Sequence, residues 1–511
     1  MQTAGIDHKV ALRARRRRSP AWQRQRHGLR QLDRLGRLRI VVNQATWRWW
    51  SNAAGNGGDN VLLYHILRAV LQIPVGVFFR QVEVIGRENV PDDGARAALL
   101  CGNHPNSLLD PLLIIVTCPR PVRFAAKDVL FKSWPMRLLL NGVGAVPVQR
   151  KMEHAKVDNS SMFEAMSQVL AGGGAMGIFP EGLSHDEAQL QRFKTGAARI
   201  ALDTAHRHDQ AVDVIPVGLT YIHPKRFRSR VVVWYGAPIE VGEQWRHAYL
   251  RDEKAAARQL TLDIDGALRE LTVNSEDWDT ARILSAVRRL YQPPGIALWQ
   301  RVELARRFNA AYPLVKDLAD VQALLGQVRD YLAKLRLLDL DDGDVLRHVG
   351  PWEIAGKCAL RLMDALVWSP LAIPGIVLQG PIALVIGLIG AKVAPRKDVI
   401  GTTKLMLGLV LVPLLHGLMI GLTAWYADWR WAVGLAVVLP LSGWAALRAF
   451  EKGLRVWEIL HTAARMVVLR KELIALRKTR DHLQDQVVRL VDKYRPADME
   501  PLFERPLPQP E

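Results

Sequence analysis

Cysteine is scarce in this chain of 511 residues: Cys101, Cys118 and Cys358 are the only three, and no two form a CxxC pair. Such spacing excludes a disulfide framework and reads as reduced, core-type thiols facing the cytoplasm. Acidic residues are the second deficit, with 50 Asp and Glu against 69 Lys and Arg, a formal net charge of +19. That imbalance points to anionic partners such as lipid headgroups, nucleic acid or phosphorylated substrates. The N-terminus lacks an apolar core of the length a secretory signal needs. A Gly-x-Ser-x-Gly elbow is missing, which counts against a serine esterase. Gly172-Gly173-Gly174 lacks the following Lys-Ser/Thr of a P-loop. His185, Asp186 and Glu187 are clustered, but no Cys/His pair stands at ligand spacing, so no metal site is expected.

Charge and apolar residues are unevenly distributed. Residues 1–58 hold Lys9 and twelve arginines against Asp7 and Asp33, which is +11 of the +19. They are expected to form a basic, disordered extension able to dock on anionic lipid. Leu62 to Phe79 is apolar but short for a span and contains Pro74, so a helix lying in the membrane interface is expected at the start of the next unit. From there to residue 245, short apolar runs alternate with helical stretches: Ala97 to Cys101, Ala175 to Phe179, Val212 to Leu219 and Val231 to Tyr235. This alternation predicts an α/β domain over residues 59–245. Residues 246–365 lose the strand runs and predict helices, broken at Pro293-Pro294.

Residues 366–450 carry three apolar stretches, 371–391, 405–426 and 431–447, and predict a membrane-embedded helical region. Lys392, Arg396, Lys397 and Lys404 follow the first stretch, and Arg448, Lys452 and Arg455 follow the third. The positive-inside rule places both groups in the cytoplasm and the 427–430 turn outside. Lys357 and Arg361 precede the first stretch, so both its ends carry cytoplasmic signals. It is therefore expected to be re-entrant or interfacial, bent between Pro374 and Pro381. Residues 451–511 predict a long helix and a Pro-rich tail. Met466, Leu469, Leu473, Leu476, Leu483, Val487 and Leu490 form a stripe, with Arg480 at one core-type position. The stripe suits packing on the chain's own helices or, over 459–490, a homodimeric coiled coil.

The chemistry-bearing residues lie in the α/β part. His104 and Asp110 flank Pro105-Asn106-Ser107-Leu108-Leu109 after an apolar strand. A His with a nearby carboxylate can form a base and its orienting partner. Asp110 precedes Pro111 and is expected to cap a helix beginning there. A second polar island, Phe179-Pro180-Glu181-Gly182, ends a strand downstream.

Four ordered blocks then carry a resemblance: Asn103 to Pro111, Gly142 to Arg150, Phe179 to Gly182 with Ser184-His185, and Val214 to Gly218. Over roughly residues 80–245 the chain resembles the phospholipid/glycerol acyltransferases, which include the lysophosphatidate acyltransferases. Two departures from the common pattern, five residues rather than four between His and Asp and Leu183-Ser184-His185 in place of Thr-Arg, look like the branch similar to the fungal glycerol-3-phosphate/dihydroxyacetone-phosphate acyltransferases. The resemblance implies an α/β acyltransferase domain followed by a helical region, a membrane-embedded helical region and a C-terminal long helix. It implies His104 as general base oriented by Asp110. Arg150 and Glu181 are implied as acceptor-binding residues, with Gly182 for close backbone approach and Lys194 or Arg192 as further phosphate ligands.

No cofactor is expected; the donor would be acyl-CoA or acyl-carrier protein. The acceptor would be glycerol 3-phosphate, dihydroxyacetone phosphate or lysophosphatidate, in an integral cell-membrane enzyme whose site faces the cytoplasm. Competing readings are a thioesterase or phospholipase using the same His/Asp pair, and a non-catalytic binder of anionic lipid or nucleic acid through the N-terminus. No specific nucleic-acid partner is expected, because general basicity gives only salt-sensitive, sequence-independent binding.

Overall fold

The computed structural model describes residues 58–148, 160–346, 351–495 and 502. The basic extension up to residue 57, Arg150 and nearly all of the Pro-rich tail lie outside the described residues. In chain order the elements are helix α1 (Gly58–Phe78), strands β1 (Phe79–Ile85) and β2 (Ala97–Gly102), α2 (Leu109–Thr117), β3 (Arg123–Lys127), α3 (Trp134–Gly142), β4 (Val146–Val148), α4 (Ser160–Ala171), β5 (Ala175–Ile178), α5 (Gly196–Arg207), β6 (Val212–Tyr221), β7 (Ser229–Tyr235) and β8 (Ile239–Val241). Among the described residues helices then follow: α6 (Glu243–Arg251), α7 (Glu253–Leu271), α8 (Trp278–Tyr291), α9 (Leu298–Val315), α10 (Ala319–Leu337), α11 (Asp342–Leu346), α12 (Pro351–Val393), α13 (Ile400–Tyr426), α14 (Trp429–Val468) and α15 (Arg470–Tyr494).

The eight strands form one mixed sheet in the order β1-β7-β6-β2-β5-β3-β4, with β8 added to β6. β2 lies between β6 and β5 and is parallel to both; β7 and β8 run antiparallel to β6. Every residue of β2 is buried. Its side chains alternate between two cores, as a strand's twofold period requires. Ala98 and Leu100 join Leu113, Ile114, Phe124 and residues of α1 on one face. Ala97, Leu99 and Cys101 join Met166, Ala198, Ala201, Leu260 and Ile264 from α4, α5 and α7 on the other. Because Leu260, Ile264 and Leu268 complete that second core, the α/β unit extends to the end of α7, beyond the boundary expected at residue 245.

α1 has two apolar faces. Tyr64, Leu71, Val75 and Phe78 pack on the sheet, while Leu62, Ile66, Val70, Ile73 and Val77 form an exposed stripe at helical spacing. The break expected at Pro293-Pro294 falls between α8 and α9.

Among the described residues three helical segments are long and apolar enough to cross a membrane: Leu366–Val393, Lys397–Tyr426 and Trp429–Leu454, of 28, 30 and 26 residues. The first is longer than the stretch expected at 371–391 and is not interrupted. α12 continues through Pro370, Pro374 and Pro381. Each proline removes one backbone donor, which permits a bend without ending the helix. The two halves of α12 have different neighbours. Trp368, Gly375 and Gln379 meet Trp444, Ser442 and Gly443 of α14. Gly390 meets Lys404, and Ile386 meets Gly408, on the α13 side.

The stripe on α15 is occupied within the chain. Leu473, Leu476, Leu483 and Val487 are buried against Val321, Leu325, Val328, Tyr331 and Leu335. It is therefore not the free seam on which the expected dimer depended. Arg480 is buried at the same interface. Its Nε donates to Asp342 at 3.1 Å, where the Tyr331 hydroxyl also donates at 2.9 Å, and its Nη1 donates to Gln484 at 2.8 Å.

Candidate active site

The site lies beyond the carboxyl ends of β2, β5 and β6, where open α/β sheets place their ligands. Asn103 leaves β2 and bridges to β6 with both ends of its amide. Nδ2 donates to the Leu219 carbonyl at 3.0 Å and Oδ1 accepts from the Leu219 N–H at 2.7 Å. The chain then reverses through Ser107, whose φ of 48° lies in the left-handed region. That conformation is strained for a residue with a Cβ and persists because the surroundings over-determine it. It returns Asp110 to His104: Nδ1 of His104 is 2.8 Å from Asp110 Oδ2.

Asp110 does not cap a helix. α2 begins at Leu109 with Leu108 in the cap position, and no side chain caps it. The carboxylate has other partners. Oδ2 accepts from His104 and from the Asn106 backbone N–H at 2.7 Å, and Oδ1 accepts from the Tyr221 hydroxyl at 2.6 Å. Its side chain is 0% exposed, against 13% for His104. Burial raises the Asp110 pKa above the ordinary carboxylate value, and the bonds from His104, Tyr221 and Asn106 oppose that rise. Burial, with the adjacent Asp110 charge, pushes the Tyr221 phenol well above its ordinary value, so it stays a donor. With Nδ1 facing the carboxylate, the proton belongs on Nδ1 and the lone pair on Nε2. Nε2 has no protein partner among the described residues.

The imidazole is also fixed by stacking. Its ring lies 4.1 Å from that of Phe179 at an interplanar angle of 7°, and Phe179 stacks on Phe124 at 5.6 Å. A Cβ at Gly102 would come within 3.0 Å of the Phe179 ring, so glycine there is what lets the stack approach β2.

Glu181 joins the two polar islands. Its Oε1 accepts from the His104 backbone N–H at 2.8 Å; its Oε2 accepts from the Gln191 N–H at 2.9 Å and bonds His185 Nε2. The His185 N–H in turn donates to the His104 carbonyl at 3.1 Å. The side chain of Glu181 is buried, so its contacts are with the loop that carries the imidazole. Burial opposes charge on His185, but the hydrogen bond and charge of Glu181, with Glu187 and Asp398 beyond, outweigh it and raise the pKa. Gly182 has φ +78°, and any Cβ there would run into the Lys194 side chain, which lies across it. Arg192 and Lys194 are exposed.

The structure thus brings together His104, Asp110, Glu181, Gly182 and Lys194, while Arg150 lies outside the described residues. Sequence reasoning missed Tyr221, Phe179 as a stacking partner, and His185. Tyr221 gave little signal, because one polar tip at the end of a buried strand looks like any strand end. Among the described residues no three His, Cys, Asp or Glu side chains are grouped to hold a metal ion.

A family model described as Acyltransferase matches residues 81–220, and one described as Glycerol-3-phosphate acyltransferase 2 C-terminal domain matches residues 283–499. The chain is 33% identical over 303 residues to glycerol-3-phosphate O-acyltransferase 2 of Saccharomyces cerevisiae, covering 56% of this chain and 40% of that protein. It is 29% identical over 364 residues to glycerol-3-phosphate O-acyltransferase 1 of the same yeast, covering 66% and 48%. It is 27% identical over 159 residues to the 1-acyl-sn-glycerol-3-phosphate acyltransferase of Borreliella burgdorferi, covering 31% and 58%. The chain therefore spans less than half the length of the two yeast relatives it matches.

Proposed function

We propose, for a chain that belongs to the glycerolipid acyltransferases through both of its matched domains, that it moves a fatty acyl group from a thioester to a hydroxyl of a glycerophosphate acceptor. The observation that carries this reading is the His104–Asp110 pair at 2.8 Å, with the carboxylate buried and held by Tyr221 and Asn106. Nε2 of His104 takes the proton from the acceptor hydroxyl as its oxygen attacks the thioester carbonyl. Asp110 keeps the tautomer and stabilises the imidazolium, and the thiol departs with the proton returned from His104. The attacking oxygen belongs to the substrate, so no serine nucleophile is required. Glycerol 3-phosphate is the first acceptor to test, since the C-terminal match is to that class. Acyl-CoA or acyl-carrier protein is the donor.

The enzyme sits in the cell membrane with its site facing the cytoplasm. The segment after α12 and the part of α14 that follows its apolar stretch both contact the catalytic unit: Arg396 bonds Ser184, and Glu451 pairs with Arg228. Their basic residues favour the cytoplasm, and the catalytic unit shares their side. Both ends of α12 lie on that same side, as the re-entrant or interfacial reading requires, with the helix bending at its prolines. Its start follows Leu346 by only residues 347–350, a reach of at most about 18 Å, and Val345 is held by Arg477 of α15. The exposed apolar stripe of α1 lies in the interface.

Acyl transfer in isolated membranes tests the reading, with labelled acyl-CoA and glycerol 3-phosphate, dihydroxyacetone phosphate or lysophosphatidate. His104→Ala and Asp110→Asn are expected to lower turnover at least about 100-fold while still inserting in the membrane. Near wild-type turnover in either variant, or release of free fatty acid without acylated acceptor, refutes it.

A further inference from the structure

We propose that Arg396, in the segment joining α12 to α13, binds the phosphate of the acceptor, so that the membrane region completes the active site. This rests on the acyltransferase reading above. The segment touches both loops of the site. The Thr402 hydroxyl donates to the Asn106 carbonyl at 3.1 Å. Gly401 is packed so closely that a Cβ there would fall 2.8–2.9 Å from Asn106 Oδ1, Leu109 Cδ1 and the Pro224 carbonyl. Arg396 reaches the other loop, donating from Nη2 to Ser184 Oγ at 2.9 Å. Ser184 precedes His185, whose N–H holds the His104 carbonyl. Lys404 adds a bond from Nζ to the Lys225 carbonyl at 3.0 Å.

The guanidinium has the form of an oriented but unsaturated donor. Its Nη2 makes both of its protein bonds, to Ser184 and to Asp398 Oδ2 at 2.9 Å. Asp398 is buried, whereas the Arg396 side chain is 49% exposed. Two anchors on one nitrogen fix the plane, and Nε and Nη1 meet no partner among the described residues. A planar fork held in this way matches two oxygens of a phosphate. The adjoining segment from Glu181 to Glu187 contains no Lys or Arg of its own; Lys194 lies across Gly182, and Lys225 is already engaged by Asp186. Arg396 stands outside the Acyltransferase match at 81–220. It thus supplies to the site a guanidinium fork that the 181–187 loop lacks.

The same phosphate chemistry is present on a CoA donor, and kinetics separates the two. The full chain is assayed in membranes with glycerol 3-phosphate and acyl-CoA varied independently, for wild type, Arg396→Ala and Arg396→Lys. Arg396→Ala is expected to raise the acceptor KM about 10- to 100-fold, the range for a lost hydrogen bond to a charged group, with the donor KM unchanged. Arg396→Lys, keeping the charge without the fork, is expected to fall between. Thermal midpoints in detergent show whether each variant is folded; if Arg396→Ala is not, Arg396→Lys alone decides. An acceptor KM at the wild-type value, or a rise confined to the donor KM, overturns the proposal while leaving the acyltransferase reading intact. A wild type that acylates no phosphate-bearing acceptor overturns both.

Discussion

At the scale of the residue, the site is a set of buried hydrogen bonds arranged around one imidazole. Asp110 holds it from one edge, Phe179 from one face, and Glu181 through its backbone N–H. Glu181, expected to touch the acceptor, ties together residues 104, 185 and 191. His185 is part of that tie, and its raised pKa makes the tie depend on pH. A histidine whose folded pKa lies above its unfolded value, about 6.5, stabilises the fold fully below that value. The contribution is lost as pH rises through the raised folded pKa. The difference in thermal midpoint between wild type and His185→Gln should therefore be larger at pH 6 than at pH 8.5. Equal differences at the two pH values would show that the charged form of His185 adds nothing.

At the scale of the element, what each helix does depends on which of its faces is covered. α2 is short and almost wholly buried, so Asp110 in its first turn can point back into the loop rather than out to water. α1 covers the sheet with one apolar face and leaves the other bare. α15 shows that a heptad-like stripe does not by itself imply a second copy: its leucines are core residues of the helical region. Leu483→Ala should cost about 2–5 kcal/mol of stability, the range for a truncated core leucine, with no change in the number of chains per particle. Thermal unfolding together with light scattering in detergent checks both; dissociation without destabilisation would restore the dimer reading. The strands were legible because their apolar runs alternate with helical stretches, and β2, β5, β6 and β7 all lie where those runs are. The end of the α/β unit was not legible, because the apolar side of α7 looks the same whether it packs on a sheet or on other helices.

At the scale of the whole molecule, the α/β unit and the apolar helices are joined at several points: Arg396 with Ser184, Thr402 with Asn106, and Arg228 with Glu451. These contacts require residue 397 and the candidate site to lie on one side, with the 427–428 turn at the far end of the α13–α14 hairpin. With a cysteine placed at Lys397 or at Ala427, an impermeant thiol reagent added to intact cells should label only the second. Labelling of position 397 would reverse the orientation. By itself the sequence determined the class of fold, the His104–Asp110 pair, the three apolar stretches and the placement of charge around them. These are local matters: apolar periodicity, short-range spacing, and the cost of taking charge into lipid. Only the tertiary structure decided that Asp110 is held by Tyr221 and that Glu181 anchors the His104 loop. It alone brought a residue nearly 300 positions downstream of His104 to the rim of the same site. Hydrogen bonds between residues far apart in the chain depend on how separate elements pack, and one sequence without that packing does not say which distant side chains will meet.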